Sequence, residues 1–391
     1  MTYVLTVGGP GEQAAAGGDL DVTDDLTILG AGTSETIVHA NGLDRVFEIR
    51  SGTVLLSRLQ VTGGSSDFGG GILNAATLRL ERVLVTGNTS TGSFGTGGGV
   101  YNLGELHVVD TEINSNEGGF GGAIRNDGTL TVLRSSIASN IGSPQAGGIN
   151  NNGTALIVAS TLALNQVSFG AGGALRNRGT LTLVDSTLRG NSSVSRGGGI
   201  YNHSGGVLRV TNSTLSGNTD TVVGGGINNE GGTVVLANVT LTNNSPDGIY
   251  NWQGGTFTLA NSIVALQSGG GANCAGPTAV SSGGYNIVGD ASCGIASTGD
   301  QPSTNPQIGP LASNGGSTRT HALLAGSPAI DAGAPAGCQG HRDGDGILDA
   351  LLTDQRGRLR VDGDGSGGVR CDIGAYEFAA TTTDLIFADG F

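Results

Sequence analysis

The stretch Thr180-Leu-Thr-Leu-Val-Asp-Ser-Thr-Leu-Arg-Gly-Asn191, followed after a short loop by Gly197-Gly-Gly-Ile-Tyr-Asn202, decides the fold. Leu181 and Leu183 alternate with polar residues, Leu188 follows a turn, and a third apolar run comes after the glycine cluster. Alternation with a period of two residues is typical of strands that bury one face, and no long helical pattern separates these runs. The stretch therefore predicts three short strands joined by tight turns.

This unit recurs along the chain at intervals of about 25 residues. The residue after each glycine cluster is apolar in every copy: Ile72, Val100, Ile124, Ile149, Leu175, Ile200, Ile227 and Ile249. Because one such unit cannot bury its apolar face alone, successive units stack coil on coil. The pattern predicts an all-β fold, a right-handed, single-stranded parallel β-helix with three short strands per coil. Neighbouring coils are then about 4.8 Å apart.

Two columns of asparagine accompany the repeat at its corners. The first contains Asn88, Asn116, Asn140, Asn165, Asn191, Asn218 and Asn244, and the second Asn74, Asn102, Asn126, Asn151, Asn177, Asn202, Asn229 and Asn251. Stacked amides can bond to one another and to the turn backbone. We expect both columns to be structural ladders.

Composition excludes several classes of protein. The chain has 74 glycines in 391 residues, clustered rather than placed at every third position, so it is not collagen-like, and its 37% of hydrophobic residues is enough for a core. All 18 basic residues are arginine and the net charge is −14, which disfavours nucleic acid and anionic membranes as partners. The sequence has no apolar run of about 18 residues, so no membrane span is predicted.

We divide the chain into N-terminal coils (1–52), β-helix repeats (53–290) and a C-terminal region (291–391). The four cysteines are Cys274, Cys293, Cys338 and Cys371. Three pairings are open; we favour the sequence-local one, 274–293 with 338–371, over a metal site, because no pair has CxxC spacing. Disulfides predict an oxidising compartment, hence an extracellular or outer-surface location. Since Met1-Thr-Tyr-Val-Leu5 already has the pattern of a strand, we expect an export signal to be missing from this chain.

The repeat, with the pattern GGGIYN-x-G-x-L-x-[VL]-x-x-S-T-L-x-G-N, resembles right-handed β-helix repeats of the pectin-lyase-like superfamily, near the repeats of polymorphic outer-membrane proteins, over roughly residues 20–290. Ser327–Gly333, Thr353–Gly357 and Cys371–Glu377 are similar to a choice-of-anchor Q region. The resemblance implies an exported bacterial surface protein. It does not by itself imply an activity.

Catalysis has little support among the residue patterns. The chain has no Gly-His-Gly motif and no lysine, both of which the resemblance to polygalacturonase-type enzymes would require. A Ca²⁺-dependent polysaccharide lyase with an arginine base is the remaining enzymatic alternative. The outward column Arg82, Asp110 and Arg134 is interpreted as a surface ion-pair ladder.

A candidate ligand-binding column precedes the second asparagine ladder and is expected to face outward. Its candidate residues are Tyr101, Arg125, Arg176, Tyr201 and Tyr250, with Trp252 just beyond. Aromatic rings and guanidinium planes at about 4.8 Å spacing can stack and hydrogen-bond along a glycan. The alternative is the ordinary preference of such residues for exposed strands.

A second candidate site is an Asp/Gly-rich segment near the C-terminus. Asp343, Asp345 and Asp349, with Asp362 and Asp364 as further contributors, have the alternate spacing that can wrap Ca²⁺. The alternative is a solvated Asp-Gly turn held by a Cys338–Cys371 bridge. No other cofactor is required.

Together these patterns predict an exported bacterial surface or extracellular protein that binds a glycan or a cell-surface partner without catalysis. A secreted polysaccharide lyase is the first alternative. A structural element that associates end to end through open sheet edges is the second.

Overall fold

The computed structural model describes residues 1–6, 18–92, 95–360 and 370–378. Every regular element in these residues is a β-strand, and we number the strands β1 to β46 in chain order. None of the described residues lies in a helix with the length and hydropathy of a membrane span. The chain divides into two compact units, of which unit 1 comprises Met1–Ala155, Thr161–Thr180 and Asn191–Ser195, and unit 2 comprises Leu156–Ser160, Leu181–Gly190 and Arg196–Phe391.

Unit 1 contains strands of four sheets, A to D. Its sheet A strands are β1 (Thr2–Val4), β4 (Ile37–His39), β7 (Gln60–Thr62), β11 (Leu84–Thr86), β15 (Glu112–Asn114), β19 (Ser136–Ala138) and β23 (Thr161–Ala163). Its sheet B strands are β2 (Leu20–Val22), β5 (Phe47–Ile49), β9 (Ile72–Asn74), β13 (Val100–Asn102), β17 (Ile124–Asn126), β21 (Ile149–Asn151) and β25 (Leu175–Asn177). Its sheet C strands are β3 (Leu26–Leu29), β6 (Thr53–Ser57), β10 (Thr77–Glu81), β14 (Glu105–Val109) and β18 (Thr129–Leu133). Its sheet D strands are β8 (Ser65–Ser66), β12 (Thr89–Ser90), β16 (Glu117–Phe120), β20 (Ile141–Gln145), β24 (Gln166–Val167) and β28 (Ser192–Ser193).

Unit 2 likewise contains strands labelled A to D. Its sheet A strands are β27 (Thr187–Arg189), β31 (Thr214–Ser216), β35 (Thr240–Thr242), β38 (Ile263–Ala265), β41 (Ile287–Val288) and β42 (Gln301–Pro302). Sheet B has β29 (Ile200–Asn202), β33 (Ile227–Glu230), β36 (Ile249–Trp252) and β39 (Cys274–Ala275), and sheet D has β32 (Thr219–Asp220). Sheet C has β30 (Val207–Thr211), β34 (Thr233–Ala237), β37 (Thr256–Ala260) and β40 (Ser281–Ser282), while β22 (Thr154–Val158) and β26 (Thr180–Val184) have residues in both units.

One coil shows how the sequence produces this path. Strand β10 of sheet C ends at a two-residue corner, β11 of sheet A ends at a second corner, and β12 of sheet D and β13 of sheet B complete the coil. Each strand pairs in parallel with its equivalent one coil away, so that Leu78 lies opposite Leu106, and Leu106 opposite Leu130. All three side chains are buried. The predicted parallel β-helix of about 25 residues per coil is confirmed, and the short sheet D strands add to the three predicted strands.

Both asparagine columns are ladders of buried amides, as predicted. In the first, each Nδ2 donates to the next Oδ1 at 2.9–3.0 Å, from Asn88 to Asn191 and from Asn218 to Asn244. In the second, the equivalent distances are 2.7–2.9 Å, from Asn74 to Asn177 and from Asn202 to Asn251. The amide N–H₂ groups also donate to backbone carbonyls, and the amide oxygens of the first ladder accept from backbone N–H groups. These ladders satisfy polar backbone groups that the tight corners would otherwise leave unpaired.

The C-terminal part of unit 2 departs from the coil pattern. It contains two antiparallel pairs, β43 (Ile308–Ala312) with β44 (Thr320–Leu323), and β45 (Gln339–Gly340) with β46 (Asp349–Ala350). Both predicted disulfides are present, joining Cys274 to Cys293 and Cys338 to Cys371. We call residues 318–360 and 370–378 the strap, because they pack along the outside of unit 2's own coils.

The strap covers a column of threonines on sheet A of unit 2. Thr187, Thr214 and Thr240 point outward from their strands, yet all three are buried. The Gln355 side chain lies over them: its Oε1 accepts from the Thr214 hydroxyl at 2.6 Å, and its Nε2 donates to Thr187 Oγ1 at 2.9 Å. The strand period places these threonines at the surface, but the strap makes them part of a buried polar interface.

Candidate functional site

The predicted ligand-binding column has a well-defined surface cluster in unit 1. The Tyr101 hydroxyl donates to Asp127 at 2.8 Å, and Arg125 forms an ion pair with the same carboxylate at 2.9 Å. The Phe68 ring lies nearly parallel to that of Tyr101, with ring centroids 6.2 Å apart, and the side chain of Phe68 is 53% exposed. We call Phe68, Tyr101, Phe120, Arg125 and Asp127 the aromatic cluster.

Electrostatics within the aromatic cluster keep Asp127 ionised. Burial alone would raise the pKa of Asp127, but hydrogen bonds from Arg125, Tyr101 and Asn152 hold it below its usual value. Burial, with the hydrogen bond to Asp127, raises the pKa of Tyr101 to about 12. The guanidinium of Arg125 lies 5.8 Å from the Tyr101 ring centroid and 5.6 Å from that of Phe120. The cluster thus combines apolar ring surface with a fixed carboxylate.

Further along the same column of unit 1, Arg176 is buried. Its side chain is only 4% exposed, and one guanidinium nitrogen donates to the amide oxygen of Asn150, itself buried, at 3.1 Å. Arg176 therefore lies outside the exposed surface that the glycan hypothesis uses.

The candidate residues of unit 2 form a second, largely self-contained group. Tyr201 is 5% exposed and donates its hydroxyl to Glu230, which also pairs with Arg196 at 3.4 Å. The guanidinium of Arg196 lies 4.7 Å from the centroid of Trp252, and the indole N–H of Trp252 donates to Asn228 at 3.1 Å. Tyr250 contacts Trp252 with the two ring planes tilted at 60°. Contacts within the protein thus engage much of the ring surface of this group.

The Asp/Gly-rich segment forms local turns in the described residues. Asp343 accepts from the backbone N–H of Asp345 at 3.1 Å, Asp345 accepts from that of Ile347 at 2.7 Å, and Asp349 accepts from that of Arg342 at 3.2 Å. The remaining predicted ligands, Asp362 and Asp364, lie outside the described residues. Calcium binding here stays a prediction.

The described residues do bring one group of three carboxylates within metal-ligand distance of one another: Asp19, Asp21 and Glu48. Arg45 already pairs with Asp19 and with Glu48, and Arg50 pairs with Asp21 at 2.7 Å and with Glu48 at 3.2 Å. Because both arginines supply the positive charge, we interpret this group as an ion-pair network.

The two-residue corner between sheets C and A carries a third candidate surface. We call the first residues of these corners the corner column; it contains Arg58, Arg82, Asp110 and Arg134 in unit 1, and Ala159, Asp185, Asn212, Asn238 and Asn261 in unit 2. Every member has a positive φ, between 46° and 57°. The column therefore has the same backbone conformation in both units but different side chains.

In unit 2 the corner column holds the strap. The side-chain amides of Asn212, Asn238 and Asn261 donate to backbone carbonyls of Thr353, Gln339 and Asp372 at 2.8, 2.9 and 3.0 Å. Asp185 pairs with Arg342 at 3.5 Å, and burial raises its pKa to about 6. These asparagines are used to recognise a polypeptide backbone.

In unit 1 the corner column lines an open cleft of about 330 Å³. The predicted ion pair between Asp110 and Arg134 is present, with Nε to Oδ1 at 2.8 Å and a second nitrogen to Oδ2 at 2.9 Å. Arg82 has no ion-pair partner within 4 Å in the part of the chain that the structure describes, so the predicted ladder is only partly formed. The cleft lining consists of Ala31, Gly32, Thr33, Arg58, Arg82, Val83, Leu84, Asp110 and Glu112.

Two features of these surfaces were not predicted from the sequence. Phe68 lies directly before a glycine cluster, at the position that Phe120 holds two coils later, and this recurrence is a signal that could have identified it. The cleft at Arg58 and Arg82 has a signal that could have identified it, since arginine occupies a corner where unit 2 repeatedly has asparagine. Comparisons of this chain with protein-family models, with curated proteins and with solved structures found no match.

Proposed function

We propose that this protein is an extracellular, non-catalytic binding protein and that the aromatic cluster of unit 1 is its glycan-binding surface. The observation that carries the proposal is the exposed Phe68 ring, held nearly parallel to Tyr101 beside the Asp127 carboxylate. Apolar surface that is exposed as a contiguous patch, rather than as a single ring, marks interaction sites. Two rings and a carboxylate within one surface can contact both the apolar C–H groups and the hydroxyl groups of a sugar.

The chemistry of recognition follows from the two kinds of group. The C–H face of a pyranose ring is apolar and packs on an aromatic ring, whereas its hydroxyl groups need hydrogen-bond acceptors. An ionised carboxylate has about four acceptor positions, so Asp127 can accept a ligand hydroxyl besides its bonds to Tyr101, Arg125 and Asn152. The ring platform and this carboxylate together favour a carbohydrate over a purely apolar ligand.

Two disulfides support the extracellular part of the proposal. Such bonds persist in oxidising compartments and are rare in the cytosol. Both lie in unit 2, where Cys338–Cys371 joins two segments of the strap. A bacterial surface location and the finer resemblance to pectin-lyase-like repeats belong to this proposal as well.

The aromatic cluster favours binding over the lyase alternative. An arginine that acts as a base must give up its proton, but Arg125 forms an ion pair with the ionised carboxylate of Asp127, which stabilises the charged guanidinium. Incubation with acidic polysaccharides and Ca²⁺, followed by ultraviolet detection of unsaturated products, tests the lyase alternative directly. Product formation would replace the binding proposal with an enzymatic one.

The binding proposal is tested by retention on a panel of immobilised neutral and acidic polysaccharides. Because Phe68 is exposed, Phe68→Ala should leave the fold intact and weaken retention on the polysaccharide that binds best by about tenfold, the value of a stacked ring. Phe169→Ala is the matched control, since Phe169 is also in unit 1 and is 72% exposed, but belongs to no cluster. Retention of Phe68→Ala equal to that of Phe169→Ala would refute the proposal, as would no retention of the wild type on any member of the panel.

A further inference from the structure

We propose that the cleft at the corner column of unit 1 binds an oxyanion carried on a hydroxyl-bearing ligand. The site is separate from the aromatic cluster and does not depend on the function proposed for it. Strand register places Arg58, Arg82, Asp110 and Arg134 on successive coils, because Ser57 pairs with Glu81, and Glu81 with Val109. Neighbouring side chains of the column therefore start about 4.8 Å apart.

The backbone conformation of the arginines is the first argument. Arg58 and Arg82 have φ of 56° and 54°, in the left-handed region that arginine rarely adopts and asparagine adopts more readily. Unit 2 has Asn212, Asn238 and Asn261 at the equivalent corners. The chain therefore has arginine where asparagine would be the less strained residue, which favours a role for the charged side chain.

The charge balance of the cleft is the second argument. Both oxygens of Asp110 accept hydrogen bonds from Arg134, and these bonds together with the nearby Arg82 hold the pKa of Asp110 below its usual value. Asp110 is thus neutralised by Arg134 rather than by Arg82. In the described part of the chain, Arg58 has one long hydrogen bond, at 3.4 Å to the Ala31 carbonyl, and no ion pair. Two exposed guanidinium groups remain available in a protein of net charge −14.

The other lining residues specify the kind of anion. Guanidinium groups bind the oxygens of carboxylates and of sulfate or phosphate esters through paired N–H donors. Glu112, which also lines the cleft, is exposed and has no ion pair among the described residues, so its carboxylate can accept hydroxyl donors but repels a second negative charge. A volume of about 330 Å³ accommodates a ligand of about one sugar ring. The ligand therefore combines one oxyanion with hydroxyl groups.

The experiment titrates the full chain with four small probes at low ionic strength, using ligand-observed NMR. Glucuronate and glucose 6-sulfate carry the oxyanion on a sugar, glucose lacks the oxyanion, and acetate lacks the hydroxyls. We expect at least one acidic sugar to bind at least about tenfold more tightly than glucose, the value of a charge-assisted contact. The tighter of the two identifies a carboxylate or a sulfate ester as the natural group. Equal binding of glucose and both acidic sugars would overturn the proposal.

Substitutions in the cleft test whether binding is lost while the fold is retained. Arg58→Asn with Arg82→Asn places at both corners the residue that unit 2 has there, so the double variant should melt no lower than the wild type yet lose acidic-sugar binding by about tenfold or more. Arg79→Asn is the control, since Arg79 is exposed on the adjoining strand and pairs with Glu81. Glu112→Gln should reduce the preference for glucuronate over acetate. Unchanged affinity in the double variant, or equal losses in it and in Arg79→Asn, would show that the cleft is not the site.

Discussion

The Gln355→Ala substitution should release the strap from the coils of unit 2. Gln355 is buried and bridges the strap to two neighbouring coils through the hydroxyls of Thr187 and Thr214. Its Nε2 also lies within hydrogen-bond distance of the Thr318 hydroxyl at 2.9 Å and of the Ser186 and Arg319 carbonyls at 3.1 and 3.2 Å. Truncation to alanine removes all of these contacts at once.

The magnitude follows from the donors that one amide possesses. An amide N–H₂ has two hydrogens, so Gln355 makes about three full hydrogen bonds, two as donor and one as acceptor, worth about 3 kcal/mol together. The Thr214 hydroxyl, left buried without its acceptor, costs about 1 kcal/mol or more in addition. We expect the free energy of strap opening to fall by about 3–5 kcal/mol, which is a hundredfold or greater rise in the open population.

Hydrogen exchange measured by mass spectrometry reports this opening directly. In Gln355→Ala, protection of strap peptides should fall by about a hundredfold or more, whereas peptides from unit 1 should keep their protection. Gln339→Ala is the matched control, because Gln339 is a glutamine of the same strap whose side chain is exposed. Equal protection in the two variants would refute the role assigned to Gln355.

Three further predictions concern the ladders and the strap. Asn140→Ala should lower the free energy of unfolding in urea by about 3 kcal/mol or more, because the buried Asn140 amide makes about four full hydrogen bonds, two as donor and two as acceptor. Asn114→Ala, which loses one, should cost about 1 kcal/mol, and similar losses would contradict the ladder's importance. Burial raises the pKa of Glu377 from 4.5 to about 8, so the folded state holds this proton, and the stabilising effect of the proton is lost as the pH rises through that range. The melting temperature of the wild type should therefore fall over this range relative to that of Glu377→Gln. Parallel pH profiles of the two proteins would exclude the role of Glu377. Cys338→Ser should increase proteolysis of the strap by removing a cross-link over a separation of 33 residues, and an unchanged cleavage rate would speak against it.

The coil itself was predictable because its signals are local and repeated. The alternation at Leu181 and Leu183, the turn at Asn191 and the glycine cluster before Ile200 recur in each copy, so strand positions and register follow from one alignment of the chain on itself. The local disulfide pairing was predicted correctly for a related reason, since short separations bring cysteines together with little loop entropy.

The exposure of the outward columns was not predictable from the same pattern. Period-two alternation states which side of a strand a residue faces, but not what packs against that side. Tyr101 and Arg176 occupy equivalent positions, yet Tyr101 is partly exposed and Arg176 is 4% exposed. The aromatic cluster likewise depends on the contact of Phe68 with Tyr101, which the strand period does not state, although Phe120 holds the equivalent position two coils from Phe68.

The sequence by itself determined the parallel β-helix and its ladders, because these depend on contacts between residues one repeat apart. Only the tertiary structure decided which parts of the surface are available for binding. The contact between Thr214 and Gln355 joins residues 141 positions apart, and no periodicity encodes such a pair. Where the strap packs, the side chains of the corner column hydrogen-bond to the strap and are part of the interior. At Arg58 and Arg82, where none of the described residues covers the column, the same column forms an exposed cationic cleft.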